Sequence, residues 1–237
     1  LYVADCGNDR VVHYATDGTV LGTIGTSGPV APGQFDCPVD VALNADGNLL
    51  VLDQGHRTVH EMQPDGTFVR WFSTLTTGPG LPWAIDVDES GTIYVADAEN
   101  EIYTYEDYFD GWGWSCCVTI THPPGGNNLV RRFAPDGTFL GQWGGYSDRY
   151  LLEGLWITGD TVFLVDDARV RVNSLDGQEA ASLSGATNVR DVAVDRFGHV
   201  WATGGDKVRE LTPGGRLLAE YSLPGASGIT VDRDNDK

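Results

Sequence analysis

The sequence predicts an all-β fold, a β-propeller of five four-stranded antiparallel blades, and three features carry that expectation. A β-rich segment ending in Asp recurs along the chain, glycine-bearing turns punctuate it at short intervals, and no stretch between them shows helical periodicity. The recurring segment is LYVAD at 1–5, LLVLD at 49–53, IYVAD at 93–97, VFLVD at 162–166 and, degraded, VWATG at 200–204. These are the second strands of successive units. Ahead of them stand VALNADGN, AIDVDESGT, LWITGD, VAVDRFGH and, last in the chain, ITVDRDND, which read as first strands with their hairpin turns. Gly47, Gly91, Gly159, Gly198 and Asn235 supply the positive φ those turns need. A third strand and a further turn follow each second strand: TDGT at Thr16, PDGT at Pro64 and Pro135, LDGQ at Leu175 and PGGR at Pro213. Asp-Gly between alternating apolar runs is a strong hairpin signal. Meanders of about 40 to 45 residues close radially, because a ring leaves few strand edges exposed.

The 237 residues are read as one domain, 1–237. Its final DRDNDK stops where a second strand should begin, and the opening LYVAD is that strand. The ring is therefore expected to close by pairing of the N- and C-terminal strands, with membership of a larger ring or array as the alternative. Acidic residues number 34 against 15 basic ones, a formal charge of −19. Such a field repels phosphate backbones and anionic lipid, so nucleic acid is excluded as a partner class. No apolar run approaches the roughly 18 residues of a membrane helix, so no membrane insertion is expected. Much of the acidity is Asp in turns, where carboxylates bond nearby backbone.

A Pro-led first strand, a DG turn, YVAD, then N-x-x-V before an aromatic stands at 38–53, 82–97 and 127–133, and this pattern resembles the NHL repeat family. The resemblance spans nearly the whole chain and implies the propeller fold. Related propellers serve as receptor sensors, adhesion modules, RNA binders and lyases, so it implies no single function. The propeller lyases that amidate peptides carry zinc-binding histidines at first-strand entrances. Here those positions are Val39, Trp83, Arg190 and Ser227, which argues against that activity.

Ligand sites in propellers gather on the face where the loops between second and third strands and the loops between blades open. Trp83, Glu153, Trp156 and Arg190 are placed there, with His56 and His122 as the histidines of that face. The aspartates closing the second strands, Asp5, Asp53, Asp97 and Asp166, are read as fixing the turns that follow, not as a ring of metal ligands. Asp40 and Asp191 replace the small residue found at Ala84 and Gly228, and if both face the channel they offer oxygen ligands to Ca2+ or another divalent cation. No other cofactor is expected. The terminal DRDND has a calcium-loop look, but lacks the following Gly and distal Glu and aligns with a hairpin turn.

Cys6 follows a second strand and Cys37 sits in the next interblade loop, so a Cys6–Cys37 disulfide is expected, and with it an extracellular or cell-surface location. Cys116 and Cys117 are left to each other or to another molecule. Residues of about 99–126 interrupt the third unit. EIYTY and VTIT within them alternate like strands, and EDYFDGWGWSCC between forms the tip of a projecting hairpin bearing Tyr108, Phe109, Trp112 and Trp114 among carboxylates. Exposed aromatics flanked by carboxylates suit sugars or an amphipathic strand. The expected function is thus non-catalytic: binding or scaffolding of a glycan, a peptide or a neighbouring protein through the loop face, self-assembly or flanking domains included. The alternative is a metal-dependent lyase or lactonase acting at the channel mouth through Asp40, Asp191 and Glu153.

Overall fold

The computed structural model describes residues 1–74, 80–98, 128–145, 152–166, 169–183, 186, 188–225 and 228–231, together with the backbone of 102–109, 114–121 and 146. Its strands form a five-bladed propeller. Blade two comprises Pro38–Leu43, Leu49–Asp53, Thr58–Met62 and Phe68–Ser73, paired antiparallel in chain order. Blade three comprises Leu81–Val87, Ile93–Ala98, Asn128–Phe133 and Phe139–Tyr146, and blade four Leu152–Thr158, Thr161–Asp166, Arg169–Ser174 and Glu179–Leu183. Blade five comprises Asp191–Val194, Val200–Gly204, Lys207–Leu211 and Leu217–Ser222. Blade one shows three strands among the described residues, Tyr2–Asp5, Arg10–Tyr14 and Val20–Ile24, and the C-terminal segment expected to complete it is described only at 228–231.

The turns form for local reasons. In the hairpin after the first strand of blade two, Asn44 Oδ1 accepts the N–H groups of Asp46 and Asn48, and Gly47 takes φ 77° to let the chain reverse. Asp88 and Asp195 repeat the Asn44 motif in blades three and five. In the Asp-Gly turns, Asp17, Asp65 and Asp136 each accept the N–H two residues on, at 2.9 Å. These contacts hold their carboxyls below the usual range.

The core lies between blades, not within one central mass. Four apolar clusters fill the successive gaps: Val11, Phe35 and Met62 between blades one and two, Leu52, Val95 and Phe133 between two and three, Ala96, Leu155 and Leu164 between three and four, and Val165, Val192 and Ala202 between four and five. Each blade needs its neighbours to bury both faces, which is why the repeat closes into a ring. Residues 102–109 and 114–121 of the insertion form a separate two-stranded antiparallel sheet running from Ile102↔Thr121 to Phe109↔Trp114. The pairing extends four residues nearer the tip than the alternation of EIYTY and VTIT suggests. No described helix is long and apolar enough to cross a membrane.

Candidate functional site

The first strands line the central channel, and three of them are irregular at one place. Their ladders with the second strands shift between Pro38 and Asp40, between Pro82 and Ala84, and between Leu152 and Gly154. The skipped residues are Val39, Trp83 and Glu153. Arg190 holds the matching place in blade five, its N–H bonding the Thr203 carbonyl at 2.7 Å. A bulge re-aims the side chain it carries. Because Pro38, Pro82 and Leu152 pair with the aspartates that end the second strands, all four residues belong to the loop-bearing end of the channel. Arg190 Nη1 donates to Glu153 Oε1 at 2.8 Å, joining blades four and five across the mouth. Trp83 is half-buried, and its buried indole N–H has no hydrogen-bond partner among the described residues. An unsatisfied buried donor is costly in a folded chain and is relieved by an acceptor that enters from outside.

Further along the channel stand Asp40 and Asp191, at equal register opposite Leu52 and Thr203, and Asp86 in blade three. Sequence reasoning missed Asp86, since it falls two places beyond the register that singled out the other two. Each Oδ1 accepts the N–H of the following residue, Val41, Val87 or Val192, at 2.8 Å. Each Oδ2 accepts an N–H from another blade or segment: Ile85 at 2.8 Å for Asp40, Ile157 at 2.6 Å for Asp86 and Ile229 at 2.8 Å for Asp191. The three carboxylates are interblade straps. Small residues make room for them: a Cβ at Gly154 would lie 3.0 Å from Asp191 Oδ1. Dense surroundings, then repulsion from Asp86, push Asp40 up to about 6, while burial and repulsion from Asp40 push Asp191 up to about 7. Both remain half-buried by accessible surface, so the channel reaches them. The grouping of metal-ligand atoms within 4.8 Å among the described residues lies elsewhere, at Asp53, His56 and His60.

The second-strand aspartates are structural, with partners that the turn argument did not foresee. Asp97 meets Arg131 at 2.7 Å, both almost wholly buried, and Asp166 meets Arg171 at 2.5 Å. Asp5 meets Arg10 at 2.9 Å. Arg131 and Arg171 stand two residues beyond the partners of their aspartates in the third-strand ladder, Leu129 and Arg169. In blade two that place, two beyond Thr58, is His60.

Of the other expected binding residues, Trp156 lies within the first strand of blade four, not in a loop, and packs half-buried against the cluster between blades four and five. Tyr108, Phe109 and Trp114 fall in the paired strands of the insertion, but their side chains, Trp112 and His122 lie outside the described residues. The Cys6–Cys37 disulfide is present, from a 3-10 turn directly after Tyr2–Asp5 to the residue preceding blade two. Cys116 and Cys117 pair in backbone register with Asp107 and Glu106, and their sulfurs too lie outside the described residues.

No protein-family model matches the chain, and no curated protein matches it. Solved structures do. A gluconolactonase from Xanthomonas campestris is 20% identical with a TM-score of 0.67, over 97% of this chain and 74% of that one. Virginiamycin B lyase from Staphylococcus aureus is 11% identical with a TM-score of 0.63, over 97% and 70%. A protein of unknown function from Bacteroides caccae is 12% identical with a TM-score of 0.62, over 97% and 75%. At these identities the shared property is the propeller fold.

Proposed function

We propose that the chain is a binding module of the NHL-like kind, working outside the cell, which recognises a glycan or peptide at the channel mouth. The observation that carries this reading is the mouth itself: an aromatic edge whose indole N–H, at Trp83, is unsatisfied among the described residues, in matching positions with the Glu153–Arg190 pair. Sugar hydroxyls and peptide carbonyls both accept from an indole N–H while stacking on its ring. The channel carboxylates favour binding over catalysis, because each oxygen of Asp40, Asp86 and Asp191 already accepts a backbone N–H. The disulfide suits an oxidising compartment. Tyr108, Phe109, Trp112 and Trp114 on the insertion are assigned as a second contact surface.

Screening the purified chain against glycans and peptides by tryptophan fluorescence tests the reading. Trp83→Phe keeps the ring and removes the N–H, so it should weaken the ligand found by about tenfold, the worth of one hydrogen bond. Unchanged affinity in Trp83→Phe together with Arg190→Gln removes the mouth as the site.

A second reading, a lactonase or lyase, is favoured by one observation: a channel carboxyl pushed up to about 7 is poised for acid–base chemistry. Two of the similar structures are named for such activities. Turnover of gluconolactone or virginiamycin B, lost in Asp191→Asn, would replace the binding reading with this one.

A further inference from the structure

The repeat sets a rule at the end of the second strands. In blades three and four the terminal aspartate is neutralised by a buried guanidinium, Arg131 for Asp97 and Arg171 for Asp166. Blade five keeps Arg209 at the same place, although Gly204 has replaced the aspartate, and this arginine turns to Glu220. Blade two breaks the rule. It keeps the aspartate, Asp53, wholly buried, but offers His60 where the arginine belongs.

His60 is no substitute cation. It is wholly buried and packed edge-on against Phe35 and Phe68, surroundings in which a charged imidazolium would be desolvated. Its Nε2 meets Thr58 Oγ1 at 3.1 Å, and its buried Nδ1 has no hydrogen-bond partner among the described residues. An imidazole nitrogen left bare in a desolvated pocket is a ligand lacking its acid. His56, from the turn between second and third strands, places Nδ1 2.8 Å from Asp53 Oδ2. One ligand atom from each of Asp53, His56 and His60 lies within 4.8 Å of the others.

We infer that Asp53, His56 and His60 form a binding site for a divalent transition cation of the zinc class, which supplies in blade two the positive charge that arginine supplies in blades three and four. Two imidazole nitrogens and one carboxylate oxygen are donors suited to Zn2+ and poorly suited to Ca2+ or Mg2+. Metal ligation takes both imidazoles as neutral bases and Asp53 as a carboxylate. The site is structural in its placement. Both oxygens of Asp53 accept the Asp36 N–H at 3.1 Å, and Asp36 precedes the disulfide-bonded Cys37, so the cation would tie the loop joining blades one and two to blade two itself. It shares no residue with the mouth set Trp83, Glu153 and Arg190, and the inference does not depend on the ligand assigned there.

The test uses the intact, disulfide-bonded chain, stripped with chelator and titrated with ZnCl2 by calorimetry, with Co2+ absorption as a second readout. One equivalent should bind, Co2+ should show the intense d–d bands of a four-coordinate nitrogen and oxygen site, and the melting temperature should rise with added Zn2+. His60→Arg restores the repeat's own solution. It should fold with the stability of the stripped protein or better and lose Zn2+ affinity by at least about 100-fold. If His60→Arg fails to fold, His56→Gln should show the same loss of affinity. Absence of binding at micromolar Zn2+, or binding unchanged in the variant that folds, overturns the inference.

Discussion

Substituting Asp191→Asn removes the channel carboxyl whose pKa is pushed up to about 7 while keeping one acceptor oxygen for the Val192 N–H. The usual value is about 4. Between those two limits the folded chain holds a proton that the unfolded chain has released, so stability is fully present below pH ~4, falls as pH rises, and levels off above pH ~7. A gap of about three pH units at ~1.4 kcal/mol each puts this loss on the order of 4 kcal/mol. Asparagine carries no such dependence. It turns a donor toward Ile229, whose N–H loses its acceptor, at a cost of about 1 kcal/mol. The wild type should therefore lead by about 1 kcal/mol at pH 4, and the variant by about 2 to 3 kcal/mol at pH 8, the order reversing near pH 5. Urea unfolding at several pH values with the disulfide intact reads this directly. A variant less stable by the same amount at every pH would refute the reasoning, because Asp191 would then act through its hydrogen bonds alone.

Three further outcomes follow from the geometry. Reducing the Cys6–Cys37 bond, which spans a sequence separation of 31, should cost about 3 to 4 kcal/mol in the chain-entropy model, measured as the shift in unfolding midpoint with reductant. Arg131→Met leaves Asp97 buried without its guanidinium and should cost about 3 to 5 kcal/mol, most of it recovered when Asp97→Asn is added; a double variant no better than the single would contradict the pairing. Deleting 101–124 and joining the ends with Gly should leave a folded, disulfide-bonded propeller that binds its ligand or neighbour more weakly, and unfolding of that variant would make the insertion part of the fold.

The blades were legible in the sequence because hairpin chemistry is local: Asn44, Asp88 and Asp195 each bond the turn they begin, and the Asp-Gly dipeptides each close the next. The Cys6–Cys37 bond was legible because blade geometry places second-strand ends and interblade loops on one face. What stayed hidden depends on the ring. Trp156 was placed with the interblade loop, whereas it sits inside the first strand of blade four, opposite Phe163. Asp86 reaches Ile157, 71 residues away, and no local pattern announces that contact. His60 did leave a trace. Aligning the third strands on their aspartate partners sets it against Arg131 and Arg171, and the missing arginine was the readable signal.

The acidic residues of this chain fall into two groups that titrate in opposite directions. Asp17, Asp65 and Asp136 are exposed, held below the usual range by turn N–H groups, and keep the surface negative well into acid. Asp40 and Asp191 are crowded into the channel, raised to about 6 and about 7, and lose their charge first as pH falls. Mild acid therefore relieves the repulsion inside the ring while the outer turns stay intact. Further acid reverses the balance, since a carboxyl lowered in the folded state gives up its stabilisation as pH drops through its folded value. Stability should accordingly peak on the acid side of neutrality. The same division explains why the two groups differ in use: the turn aspartates shape each blade separately, whereas the channel aspartates join one blade to the next and make the blades a ring.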